Sequence, residues 1–306
     1  MSIKKIIAGL TLSMLLASGV AVAADFNKGL QAAQAGDFKT ALAEWTPLAE
    51  QGNATAQYNL GIMYDYGNGV LKNDKTAVEW YTLAAEQGYV DAQFHLGVMY
   101  NYGEGVLEND EAAVRWYTKA AEQENDFAQF ILGVMYASGE GVLENDKTAV
   151  KWFTKAAEQG YADAQIELGF MYASGEGVLE NNVTAAKWYT KAAEQGNAFA
   201  QTNLGFMYAS GEGVLENDET AVKWYTKAAE QGHAQGQQRL GNMYLKGTGV
   251  LIDNRRAYMW YNLGSYNGNK KAGENKSDIA KQMTPADISK AQDMSSRCLE
   301  SNYTDC

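Results

Sequence analysis

Proline, cysteine and histidine are scarce in this chain, with two of each among 306 residues. With only Pro47 and Pro285 present, little interrupts a helix, and abundant Ala, Glu, Gln and Lys favour one. His95 and His233, with Cys298 and Cys306, leave little from which to build a metal site, because neither cysteine has a histidine or third thiol near it in sequence. Cations are also in deficit: 25 Lys and Arg stand against 37 Asp and Glu, a net charge of −12. That balance weighs against nucleic acid, whose phosphates attract cationic surfaces. Beyond the opening residues, no stretch is apolar enough to span a bilayer.

The opening residues are the exception. "MSIKKIIAGLTLSMLLASGVAVAADF" has a basic start at Lys4 and Lys5, an apolar run from Ile6 to Leu16, and small residues at Ala21-Val22-Ala23. This predicts a cleavable signal peptide over 1–23 and a periplasmic or secreted mature chain. The apolar run is short for a retained anchor, and no cysteine follows it to carry lipid. Loss of Lys4 and Lys5 would take the charge from −12 to −14. In an oxidising compartment, Cys298 and Cys306 are expected to form a disulfide that pins the tail, stabilising by about 2–3 kcal/mol on the loop-entropy estimate.

A strict repeat fills most of the chain. Leu-Gly pairs end at Gly61, Gly97, Gly133, Gly169, Gly205 and Gly241, and tryptophans stand at 80, 116, 152, 188, 224 and 260, each 36 positions after the last. Such a period means an array of supersecondary units and not one globular core. Within a unit, 91–102 and 110–123 both carry helical periodicity, with Asp110 or its Asn counterpart as an expected N-cap for the second helix. The octamer between them ("GEGVLEND" at 103–110, with variants in every unit) is then the turn of a helix pair. Its glycines supply backbone conformations that side chains obstruct, while Val106 and Leu107 are expected to tuck onto the helices. A phosphate loop needs a preceding strand, and a calcium loop needs alternating acids; neither pattern is present. Gly97 and its equivalents sit inside a helix at a cost of about 0.5–1 kcal/mol. This points to a close helix approach, expected against Ala120 and Ala121. Trp152 and its equivalents are expected in the core.

The pattern "AQYNLGIMYDYGNGV…A…WY…AAEQG" resembles the Sel-one-like repeat (SLR), a cousin of the tetratricopeptide repeat. The resemblance implies an all-α fold, a right-handed α/α superhelical solenoid of antiparallel helix pairs, and service as an adaptor. The expected organisation is a signal peptide (1–23), a degenerate opening repeat (24–53), six 36-residue repeats (54–268) and a helical cap (269–306). In the cap, Thr284-Pro285-Ala286-Asp287 reads as an N-cap, a first-turn proline and a capping-box acid.

On a helical wheel, Gln57, Leu60, Gly61 and Tyr64 share an arc that every unit repeats, and residues that vary between units fall opposite. In tetratricopeptide-like arrays that variable arc lines the concave groove. Here it carries Tyr58, Ile62, Asp65 and Tyr66; Asp91, Phe94, Val98, Asn101 and Tyr102; Phe127, Phe130 and Val134; Asp163, Ile166 and Phe170; and Phe199 and Phe206. It turns polar at Gln238, Asn242 and Lys246. Two readings stand: an aromatic groove for an extended peptide, helix or loop of a partner, or rings packed between neighbouring first helices.

Other rows have structural readings. The methionines from Met63 to Met243, one per unit, stand too far apart to share a cuprous ion and are expected as core filler. Lys and Arg on second helices and Glu in loops are expected on solvated faces, screened over about 8 Å. Gln57 and its equivalents are expected to bond loop backbone. No catalytic motif is present; the one S-x-x-K, Ser2 to Lys5, lies in the expected signal peptide. Some cysteine-rich SLR relatives are described as acting on β-lactams, but the paired cysteines of their repeats are missing here. No cofactor, no metal and no nucleic acid is therefore expected. The function expected is that of a non-enzymatic scaffold or adaptor holding a protein or peptide partner of the envelope or host. The alternatives are a host-interaction factor or envelope-polysaccharide binder and, remotely, a β-lactam hydrolase.

Overall fold

The computed structural model describes residues 24–304 and 306, so the expected signal peptide over 1–23 lies outside the described residues. Among the described residues there are sixteen helices and no strand. They group into two compact units. One ends at Tyr89 and contains α1 (Phe26–Gln34), α2 (Phe38–Glu50), α3 (Ala54–Tyr66) and α4 (Asp74–Glu86). The other begins at Val90 with α5 (Val90–Tyr102), α6 (Asp110–Glu122), α7 (Asp126–Ser138), α8 (Asp146–Glu158), α9 (Ala162–Ser174) and α10 (Asn182–Glu194). It continues through α11 (Ala198–Ser210), α12 (Asp218–Ala229), α13 (Ala234–Lys246), α14 (Asn254–Tyr266), α15 (Lys270–Ala280) and α16 (Pro285–Glu300). Within each unit, successive helices pack in pairs, the arrangement of an all-α helix-pair solenoid.

The repeated octamer holds two glycines because it must do two things. Gly139 ends α7 in the left-handed region (φ 77°), its N–H donating to the Met135 carbonyl. Gly141 is also left-handed (φ 67°), and a Cβ there would come within 2.6 Å of the Asp110 carbonyl at the start of α6. One glycine therefore stops the helix, and the other lets the turn lie against the preceding pair. Val142 packs into the neighbouring core. Leu143 does not: it is 89% exposed, as are Leu107, Leu179, Leu215 and Leu251 to the same degree or nearly so. The expectation that the loop leucine tucks in fails, because the chain turns outward one residue after the valine. The N-cap also lies one residue earlier than expected. Asn109 caps α6 by accepting from the Ala112 N–H at 2.9 Å, with Asp110 in the first turn.

Before the C-terminal cap, the core clusters join one second helix to the following first helix, as Ala149, Val150, Phe153, Ala156 and Ala157 of α8 pack with Ala164, Leu168 and Met171 of α9. The buried aromatic is the residue after the repeated tryptophan: Tyr117, Phe153 and Tyr225 are at most 2% exposed. Trp116, Trp152, Trp188 and Trp224 are only half-buried. Their rings lie under Lys119, Lys155, Lys191 and Lys227 at 4.1–4.8 Å. Trp152 packs against the cluster of α6 and α7, closing the seam between pairs. Trp260 alone of the six is buried, at 4% exposure, beneath the C-terminal cap.

This register also explains the helical glycines. A Cβ at Gly97 would meet the Tyr117 ring at 2.6 Å, and one at Gly133 would meet Phe153 at 2.4 Å. The expected partners Ala120 and Ala121 are not what the glycine accommodates; it accommodates the ring. The buried glutamines form a ladder. Gln129 Nε2 donates to the Ala121 carbonyl (3.0 Å) while its Oε1 accepts from Gln159 Nε2 (2.9 Å), so one amide ties three helices. Gln165 with Gln195 and Gln201 with Gln231 repeat the pairing. In the cap, Thr284 accepts from the Asp287 N–H at 3.2 Å to start α16. Cys298 and Cys306 stand at disulfide distance, Cα–Cα 4.7 Å.

Candidate ligand face on the first helices

Every first helix directs its repeated side chains into the cores, leaving the variable arc to be tested residue by residue. In the first unit that arc belongs to α3. Tyr58 is half-buried between Tyr81 (5.8 Å between ring centroids) and Tyr89 (4.9 Å). Asp65 accepts from the Tyr81 hydroxyl at 3.2 Å. Burial and the Asp65 carboxylate push the Tyr81 phenol far above its ordinary range. Ile62 is half-buried, whereas Tyr66 is 65% exposed.

In the second unit the arc divides in two. Phe94 and Phe130 cover the buried rings of the second helices, at 5.8 Å from Tyr117 and 5.7 Å from Phe153. Phe130 also packs on Tyr161 at 4.9 Å. Val98 packs against the core of α6 and α7, and Ile166 against that of α10 and α11. Asn101 is fully engaged, donating to Asp110 (3.0 Å) and Glu140 (3.1 Å). These residues hold the array together.

The others face solvent. Phe127, Phe170 and Phe199 are 52%, 48% and 45% exposed, and Phe206 and Val134 are 37% and 40% exposed. Tyr102, Asp91 and Asp163 are exposed as well. Exposed phenylalanines on α7, α9 and α11 therefore flank half-buried ones, an apolar face that the core does not consume. Phe127 meets Tyr161 edge-on at 5.3 Å, and Phe199 meets the His233 ring edge-on at 6.4 Å. His233 is itself structural. It caps α13 by accepting from the Gly236 N–H, its Nδ1 lies 2.8 Å from the Thr202 hydroxyl, and burial lowers its pKa.

Two charged neighbours of this face, Glu167 and Arg239, are absent from the wheel reading. Glu167 of α9 is half-buried, and burial, then Asp163 and Glu176, raise its carboxyl above the ordinary range. Arg239 of α13 lies over the Phe206 ring at 5.3 Å. The wheel passes over both because position 167 is occupied by Asn, His, Ile, Glu or Arg in different units, which shows no trend until the fold sets it beside the rings. Among the described residues, no group of His, Cys, Asp or Glu has the geometry of a metal site.

The Sel1 repeat family model matches residues 54–89, 90–125, 126–161, 162–197, 198–233 and 234–269. Among solved structures, the chain is similar to a Sel1 repeat protein from Oxalobacter formigenes, with 32% identity, 79% of this chain and 99% of that one covered, and a TM-score of 0.72. It is also similar to a protective antigen present in uropathogenic Escherichia coli strains that displays an SLR fold, with 31% identity, 91% and 69% of the two chains covered, and a TM-score of 0.58. No curated protein matches the chain.

Proposed function

The chain belongs to the Sel1 repeat family, whose members are generally scaffold-like protein-interaction modules, and from that premise we propose that it holds an extended segment of a partner protein along its first helices. The observation that carries this reading is the exposure of Phe127, Phe170, Phe199 and Phe206 on one face. Each is large and apolar, and each stands at a position where the repeats differ. Exposed aromatics grouped in this way supply the anchors of peptide grooves. The reading assigns the chain no reaction and no cofactor.

We place the chain outside the cytoplasm, in the periplasm or secreted. The support is the cysteine pair at disulfide distance and the apolar, basic-headed start of the sequence. Among the described residues, no helix is long and apolar enough to cross a membrane. A host-facing role is the second reading, favoured by the likeness to the uropathogen antigen.

Photo-crosslinking in intact cells tests the proposal. A benzophenone amino acid at position 199 is expected to capture a partner that the same group at Lys223, on a second helix, does not. Capture from position 223 alone would overturn the reading.

A further inference from the structure

The exposed rings do not run into neutral ends. At α9 the face is acidic: Asp163 and Glu176 lie near the half-buried Glu167, whose carboxyl is raised first by burial and then by these two neighbours. Two first helices further on, at α13, it becomes basic with Arg239 and Lys246. Between α11 and α13 lies a pocket of about 260 Å³ whose lining includes Phe206, Tyr225, Arg239, Asn242 and Lys246, and also the acid Asp218. The guanidinium rests on the Phe206 ring, which pre-sets its position. Among the described residues, neither Arg239 nor Lys246 has a carboxylate within ion-pair distance. Asn242 Oδ1 already accepts from the Tyr261 hydroxyl (2.7 Å) and from Asn275 (3.3 Å), so its Nδ2 is the group left to donate. Asp218 is the first residue of α12, where the positive end of the helix dipole offsets its charge. Three donors thus converge on one pocket at the end of an apolar track.

Resting on the groove reading above, we propose that this pocket receives the carboxylate of an acidic side chain on an extended peptide, whose basic residue lies over Asp163 and Glu167. Charge complementarity identifies the occupant: a cation relieves the crowded acids of α9, apolar side chains cover Phe170, Phe199 and Phe206, and an acid meets the guanidinium of Arg239 and the ammonium of Lys246. The two helix spacings from α9 to α13, about 10 Å each, fit about six residues of extended chain.

The test uses fluorescence anisotropy with labelled peptides, acetylated and amidated at their ends. Each carries a lysine, about four residues alternating phenylalanine and alanine, and a glutamate, made in both chain directions. The better-binding direction is expected to bind about tenfold more tightly than its Glu→Gln counterpart. Lys246→Glu and Arg239→Gln are each expected to erase that difference, and on the Lys246→Glu protein a peptide with lysine in place of glutamate is expected to regain affinity. Lys246 is exposed at a helix end, so that variant tests the pocket even if Arg239→Gln fails to fold. Equal binding of the Glu and Gln peptides would overturn the proposal. So would intact discrimination in the Lys246→Glu protein, or a free terminal carboxylate that fully replaces the glutamate. If both peptides bind equally and Phe170→Ser with Phe199→Ser weakens both, the groove reading survives and the pocket assignment falls. If neither peptide binds, both fall.

Discussion

Adjacent aromatics in the second helices have opposite environments. Phe153 is 2% exposed and sits on Gly133, while Trp152 is half-buried under Lys155. Phe153→Ala is therefore expected to destabilise by about 3–5 kcal/mol, the range for a buried large side chain. Trp152→Ala should cost clearly less, because part of that ring keeps its water in the folded state. Thermal melts of the two variants check the order, and equal losses would contradict it. On the first helices, Glu167 has a raised pKa, so the folded state holds its proton more tightly than the unfolded one. Stability from this group is then greatest below the unfolded pKa and is lost as pH rises toward the folded value. Glu167→Gln should raise the melting temperature at neutral pH, and that gain should vanish in acid. A gain of the same size at both pH values would show that the ionised Glu167 carboxylate, held by burial beside Asp163 and Glu176, is not its cause.

At the scale of helices and loops, the period was enough to find the helix pairs and the turn, and to bring the repeated N-cap to within one residue, because each depends on residue types that recur in register. What it left undecided was direction. Trp116 and Tyr117 are both invariant or nearly so in type, and they differ by about 100° around a helix. Nothing in a list of recurring residues says which one points inward. The same holds for Val106 and Leu107, where the half-buried valine is followed by a leucine 89% exposed. The glutamine ladder was half legible: Gln129 was recognisable as a buried amide, but its partner Gln159 lies 30 positions away, capping the C-terminus of another helix. The helical glycines then become predictable in their effect. Gly133→Ala places a Cβ 2.4 Å from the Phe153 ring, and should destabilise by about 1–3 kcal/mol despite alanine's better helix propensity. Leu143→Ser in the turn should leave the melt within about 0.5 kcal/mol, as for an exposed site. Denaturant titration of both checks the contrast, and a costly Leu143→Ser would mean that the loop leucine is covered.

For the whole molecule, the recurring residues account for the array and the varying ones for what it presents. The wheel collected the variable residues, yet it could not tell Phe94 and Phe130, which cover buried rings, from Phe127, Phe170 and Phe199, which face solvent. That distinction depends on neighbouring pairs, since a ring on one first helix is covered or left open by the residue the next unit supplies. The basic end at Arg239 was hidden for the same reason. If exposed rings form the partner surface, removing them must cost binding and not folding. The direct measurement is to titrate the partner captured from position 199 against the Phe170→Ser/Phe199→Ser double variant and to melt the same protein. We predict at least a tenfold loss of affinity with the melting temperature within a few degrees of the parent. Unchanged affinity, or a melt that collapses along with binding, would contradict the account.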